Sequence, residues 1–349
     1  MKKIRAVIKK LENSDINFPG WILLFFSISF IRNFFEGLLD SSKSIGTHTD
    51  FSTAFRQMFV HFNLEWITLL FGIVLVFYIL TKENPVKIFK ITLAFYAWII
   101  IVPFINFFIY YPAGATIDYS YKTENYISAL LYFFIFTKDI GIPFGIRFEV
   151  LAGSLMSAAY VFLKTNSVFR GILGGFLIYF LAVSSMAYPI FSLLPLYPFI
   201  GADNFNSFVD LFYFSNGLIE TFTGRVSLMI LFLLLPFLAV FLMIYNKNFL
   251  KKLFSFSFPD MLVFPALFTA GFFTAVSYMS YKLSPPAFSN PSDYAGFAVG
   301  ITVSILAFLI SQQTFAGFPE KISKNFEIIL ILLLLISSAA YSLEMMLIY

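Results

Sequence analysis

Residues 29–40 read SFIRNFFEGLLD, and the fold turns on how they are understood. The stretch lies inside an apolar run and still carries Arg32, Asn33 and Glu36. Two opposite charges and an amide among Phe, Leu and Ile mean different things in water and in hydrocarbon, so the solvent has to be settled first. Of 349 residues, 59% are hydrophobic and 12% are charged, against about 25% charged in an ordinary soluble domain. Mean hydropathy is +0.85, and several apolar runs approach the ~20 residues that cross a hydrocarbon core about 30 Å thick. The sequence therefore reads as an all-α, polytopic transmembrane helix bundle.

Apolar windows of helical length fall near 18–38, 58–80, 88–110, 148–163, 171–190, 226–245, 260–281, 293–312 and 326–348, about nine spans. Two further segments are too short or too interrupted to cross. YISALLYFFIFT (126–137) runs into a Gly- and Pro-containing break. FNSFVDLFYFSNGLIETFTG (205–224) is broken by Asp210, Asn216, Gly217 and Glu220. Both read as interfacial helices or re-entrant turns on the outer face. The expected organisation is a basic cytoplasmic segment (1–17) and an N-terminal bundle (18–245) with outer insertions 111–147 and 191–225. A three-helix segment (246–349) follows. The first segment has the pattern of a short amphipathic helix for an anionic inner leaflet.

Charge orients the bundle. With the N-terminus cytoplasmic, alternating spans place 15 of the 23 Lys and Arg residues inside, as the positive-inside rule asks. These are Lys2, Lys3, Arg5, Lys9, Lys10, Lys82, Lys87, Lys90, Lys164, Arg170, Lys247, Lys251, Lys252, Lys321 and Lys324. Nine crossings then put the C-terminus outside a cytoplasmic (inner) membrane. Since the basic residues flank apolar runs, the net charge of +4 is an orientation signal and not a nucleic-acid footprint. The expected partners are membrane lipids and other membrane subunits, with no nucleic acid. The absence of Cys excludes disulfides, thiolate nucleophiles and Cys-held clusters. No phosphate-binding glycine loop is present, and no catalytic group, cofactor or metal site is read.

In this topology Arg32 lies about 21 Å from the helix start at Phe18, near the outer surface. Glu36 follows one turn later on the same face. FVHFNLEWITLL (59–70) opens the second span with His61 and Glu65, also at i,i+4. Two such ligands could start a zinc site, which needs three or four, but the only other histidine, His48, lies in the outer loop, so the pair reads as a polar cluster at the helix start. GIPFGIRFEV (141–150) brings Arg147 and Glu149, which point apart on a helix, so each needs another partner. Arg32, Asn33, Glu36, His61, Glu65, Arg147 and Glu149 thus form a candidate polar cavity beneath an outer cap, or a structural charge cluster there.

NKNFLKKLFSFSFPDMLVFPALFTAGFF (246–273) and YAGFAVGITVSILAFLISQQTFAGFPEKISKN (294–325) are similar, over about 249–324, to the opening of the UbiA-like intramembrane prenyltransferases. That resemblance implies a helical intramembrane fold in which an Asp-rich motif on the second helix holds magnesium and a prenyl diphosphate. The corresponding place here, SQQTFAGFPEKISKN, offers Gln312, Gln313 and Glu320 and no Asp. The expectation is therefore a non-catalytic subunit or scaffold of a membrane assembly. The alternative is a lipid- or polyprenyl-handling enzyme or transporter with a polar cavity near the outer face.

Overall fold

The computed structural model describes residues 2–15, 18–39, 62–110 and 123–185, with scattered helical positions from 191 to 305. The chain divides into two compact units, Met1–Phe191 and Ser192–Tyr349, and every helix named below belongs to the first. The last four expected spans, segment 205–224, the boundary near 245 and the UbiA-like stretch lie, apart from those scattered positions, outside the described residues. His48 and His61 also lie outside them.

All regular structure among the described residues is helical. In chain order it comprises α1 (Lys2–Glu12), α2 (Phe18–Leu39), α3 (Phe62–Thr81), α4 (Pro85–Tyr96), a 3-10 segment (Ala97–Ile101), α5 (Val102–Tyr110), α6 (Thr123–Tyr132), α7 (Phe144–Thr165) and α8 (Val168–Ser185). The continuous rod Pro85–Tyr110, α7 and α8 are each long and apolar enough to cross a membrane. Shorter apolar stretches, Leu23–Phe35 and Glu65–Thr81, lie within α2 and α3. The ambiguous segment 126–137 resolves into α6, which starts earlier and ends at Tyr132, followed by turns up to Pro143.

The 26-residue rod starts where local chemistry asks. Asn84 caps it by accepting from the Val86 N–H at 2.9 Å, and Pro85 occupies the first turn. Beyond the middle, Pro103 supplies no N–H for the Ile99 carbonyl. Val102 N–H serves that carbonyl instead, one residue short of α-helical spacing, and the chain tightens into the 3-10 segment.

The closest helix pair is α7 and α8. A Cβ on Gly175 would lie 2.9 Å from the Ser154 carbonyl oxygen and 3.0 Å from Ala158 Cβ. One on Gly171 would lie 3.0 Å from the Ala158 carbonyl. The small residues of GSLMSAAY (153–160) and GILGG (171–175) thus let two backbones meet where no hydrophobic effect drives helices together.

One end of the bundle is polar and fastened. Glu12, 4% exposed, accepts from Tyr160 Oη at 3.1 Å and pairs with Lys164 Nζ at 2.9 Å. Lys164 also pairs with Glu83 in the α3–α4 turn. Arg5 reaches Asn166, and Lys90 donates to the Ser14 carbonyl at 2.6 Å. The amphipathic helix α1 is therefore pinned by Ile8 and Glu12, and its lysines remain exposed.

Candidate functional site: a charged cavity inside the bundle

A cavity of about 180 Å³ opens between five helices of the first unit. Helical spacing selects its walls. From α3 come Glu65, Leu69, Ile73 and Phe77, every fourth residue, with Trp66 beside them. Thr92, Phe95 and Tyr96 come from α4, and Trp98 and Ile99 from the 3-10 segment. Glu149, Gly153, Met156 and Ser157 come from α7, and Ile178, Ala182 and Ser185 from α8. Arg32 enters from α2.

The surface is mainly apolar and aromatic, but three charges lie in it. Arg32 and Glu65 are each 6% exposed, and Glu149 is half-buried. The Arg32 guanidinium carbon sits 4.5 Å from the centre of the Trp66 ring, a cation–π contact. Trp66 meets Tyr96 edge-on at 6.2 Å. Tyr96 stacks on Phe25 at 5.2 Å, and its hydroxyl lies 3.4 Å from Ser29 Oγ. Two polar atoms in the walls make no hydrogen bond: Thr92 Oγ1 and Trp98 Nε1. Buried polar atoms are ordinarily paired, and Thr92 is 4% exposed. At the far side Tyr160 packs on Phe77 and Phe95, at 4.9 and 6.4 Å, while its hydroxyl engages Glu12. One aromatic ring therefore separates the cavity from the fastened polar end.

The structure divides the residues singled out from sequence. Arg32, Glu65 and Glu149 line the cavity. Asn33 is buried beside Arg32, at 3.5 Å from its Nη1, but is not a lining residue. The Glu36 side chain and His61 lie outside the described residues. Arg147 does not line the cavity either. Its guanidinium donates to the carbonyls of Phe133 at 2.6 Å, Lys138 at 3.0 Å and Tyr132 at 3.2 Å, and lies 4.9 Å from the Phe136 ring. It holds the C-terminal carbonyls of α6 and the turn after it, groups that a helix end leaves without partners. The partner this arginine needed is backbone and not a ligand or a carboxylate.

Sequence reading passed over Trp66, Thr92, Tyr96, Trp98 and Gly153. One signal was available: Glu65-Leu69-Ile73-Phe77 and Glu149-Gly153-Ser157 are i,i+4 ladders, each headed by a carboxylate. Among the described residues, no three His, Cys, Asp or Glu side chains gather as metal ligands. Comparison with protein-family models, curated proteins and solved structures finds no match for this chain.

Proposed function

We propose that this chain is an integral protein of the cytoplasmic membrane that holds part of a lipid-like amphiphile in the cavity of its first unit. The observation that carries the reading is a cavity whose walls join a large apolar surface to buried Arg32 and Glu65 and half-buried Glu149. Charges placed within membrane helices are costly, and they mark ligand or ion pathways. By volume, a site of about 150 Å³ takes benzene, so this one suits a short chain segment and a head rather than a whole lipid. The UbiA-like resemblance makes a prenyl chain one form of the apolar part. A cytoplasmic N-terminus, with the nine spans expected from sequence, is part of this reading, and the gathering of Lys82, Lys164 and Arg170 at the end where α1 docks supports that orientation.

The scaffold reading draws on exposed apolar side chains such as Phe108 and Phe169. A bilayer covers such faces as well as a partner subunit does, so they do not favour it. The test is native mass spectrometry of the protein released from mild detergent. Gly153 lines the cavity, and a Cβ there meets nothing within 4 Å. The unaltered protein should carry a lipid-like adduct, and Gly153→Phe should fold without it. An adduct retained in full by Gly153→Phe contradicts the proposal.

Orientation can be read separately, because the chain has no Cys to give background labelling. A single cysteine at Lys10 should label only from the cytoplasm, and one at Lys138 only from outside.

A further inference from the structure

We infer that the cavity receives an uncharged carbonyl group, so that the ligand is an amphiphile with an ester or ketone at its polar end. This rests on the cavity being a ligand site, as proposed above, and adds the chemistry of the head. The charged lining residues do not define that chemistry, because Arg32, Glu65 and Glu149 are each engaged by other groups of the protein. Two neutral atoms on the rod Pro85–Tyr110 do. Thr92 Oγ1 and Trp98 Nε1 are buried without a hydrogen bond, on residues that line the cavity.

Thr92 departs from the habit of other threonines in this unit. Thr81 and Thr165 each return the hydroxyl to the carbonyl four residues earlier, at 2.7 and 2.8 Å, a common local partner for such a group. Thr92 makes no such bond, although it is only 4% exposed. By helical rise it lies about 10 Å along the rod, and Trp98 about 20 Å, depths at which a bilayer supplies no water in exchange. On a helix the threonine hydroxyl has two open rotamers, so it can turn to a ligand without moving the backbone. The Trp98 ring packs on Phe148, 6.0 Å between centres, and its N–H can only donate.

Donor count selects the head. Both side chains can donate, and a carbonyl accepts while bringing no proton that needs a partner of its own. An ammonium brings donors alone and leaves the indole N–H unsatisfied. A carboxylate or phosphate would shed its water for two neutral donors in apolar walls. Arg147, the second guanidinium expected there, is committed to the carbonyls of Tyr132, Phe133 and Lys138.

The chain has three tryptophans, so its indole N–H groups give a simple NMR spectrum, in which Trp98→Phe assigns the Trp98 resonance. The detergent-solubilised protein would be titrated near neutral pH with 2-hexanone, hexane, hexylamine and hexanoate, their concentrations counted within the micelle. 2-Hexanone should move the Trp98 resonance saturably to lower field and bind about tenfold tighter than the other three, as two neutral hydrogen bonds allow. Thr92→Val should weaken the ketone about threefold to fivefold and leave hexane unchanged. If that variant does not fold, the order of the four probes in the unaltered protein decides.

Hexane, hexylamine or hexanoate binding as tightly as the ketone overturns the carbonyl assignment and leaves the cavity as a ligand site. Unaltered ketone affinity in a folded Thr92→Val overturns it as well. No saturable movement of the Trp66 or Trp98 resonance with any probe overturns the site and the inference together. Nanodiscs of ester-linked and ether-linked phosphatidylcholine identify the source. A Trp98 resonance already at low field in the ester lipid alone marks a lipid ester, and equal ketone binding in both marks a free carbonyl compound.

Discussion

The two faces of α7 are built from similar small residues and end in opposite ways. On one face Ser154 and Ala158 meet Gly171 and Gly175 of α8 so closely that a Cβ would not fit. On the other, Gly153 and Ser157 look across a cavity towards Phe77, Phe95, Tyr96 and Trp66. The difference lies in what stands opposite. Small against small lets backbones approach and closes the seam. Small against large holds the helices apart, and aromatic side chains with few rotamers cannot fill every gap. A run such as GSLMSAAY therefore predicts proximity or a hole only when its partner is known.

The sharpest way to break this contrast is to add volume to each face in turn. Gly175→Leu must displace the Ser154 backbone, and overpacking of this kind costs roughly 3 kcal/mol or more. Little folded protein should survive a thermal unfolding assay in detergent. Gly153→Ala should act in the opposite sense and raise stability by about 0.5–1 kcal/mol, since nothing lies within 4 Å of the new methyl. Equal effects at the two positions would remove the distinction between seam and cavity.

Arg147→Leu comes next. It strips the donor from three carbonyls and should cost about 2–3 kcal/mol. Hydrogen exchange should rise over α6 and the turn that follows. Ligand retention in the protein that remains folded should be unchanged, because Arg147 is no part of the cavity wall.

The smallest effect belongs to the fastened polar end. A hydrogen bond from the Lys164 ammonium, helped by the charges of Lys164 and Lys87, holds the Glu83 carboxyl below its ordinary range. A carboxyl lowered in the folded state stabilises above its unfolded pKa, and that contribution is lost as pH falls through the folded value. The thermal midpoint should therefore be flat near neutrality and decline below about pH 4.5. Glu83→Gln should flatten that acid limb, and an unchanged limb would show that the turn does not help to hold α1.

Much of the helical frame was legible because apolar runs of spanning length leave few alternatives in a bilayer. The window 88–110 falls within the rod Pro85–Tyr110, and Asn84-Pro85 marks its start. The site was legible only in part. Arg32, Glu65 and Glu149 stand out because charge is rare in such helices. Arg147 stands out equally, but its partners are carbonyls of a turn folded back from 9 to 15 residues earlier, and spacing cannot show that. Thr92 and Trp98 look like ordinary members of an apolar helix until packing leaves their polar atoms without partners. The Glu12–Lys164 pair joins residues 152 positions apart, beyond any local pattern.

A density map of the protein in lipid nanodiscs tests the central claim most directly. Non-protein density should fill the space between Glu65, Glu149 and Gly153, within the hydrocarbon layer and bordered by Trp66 and Trp98. Helices α3, α4 and α7 closed upon one another with no space between them, or Arg32, Glu65 and Glu149 turned outward to lipid, would contradict it.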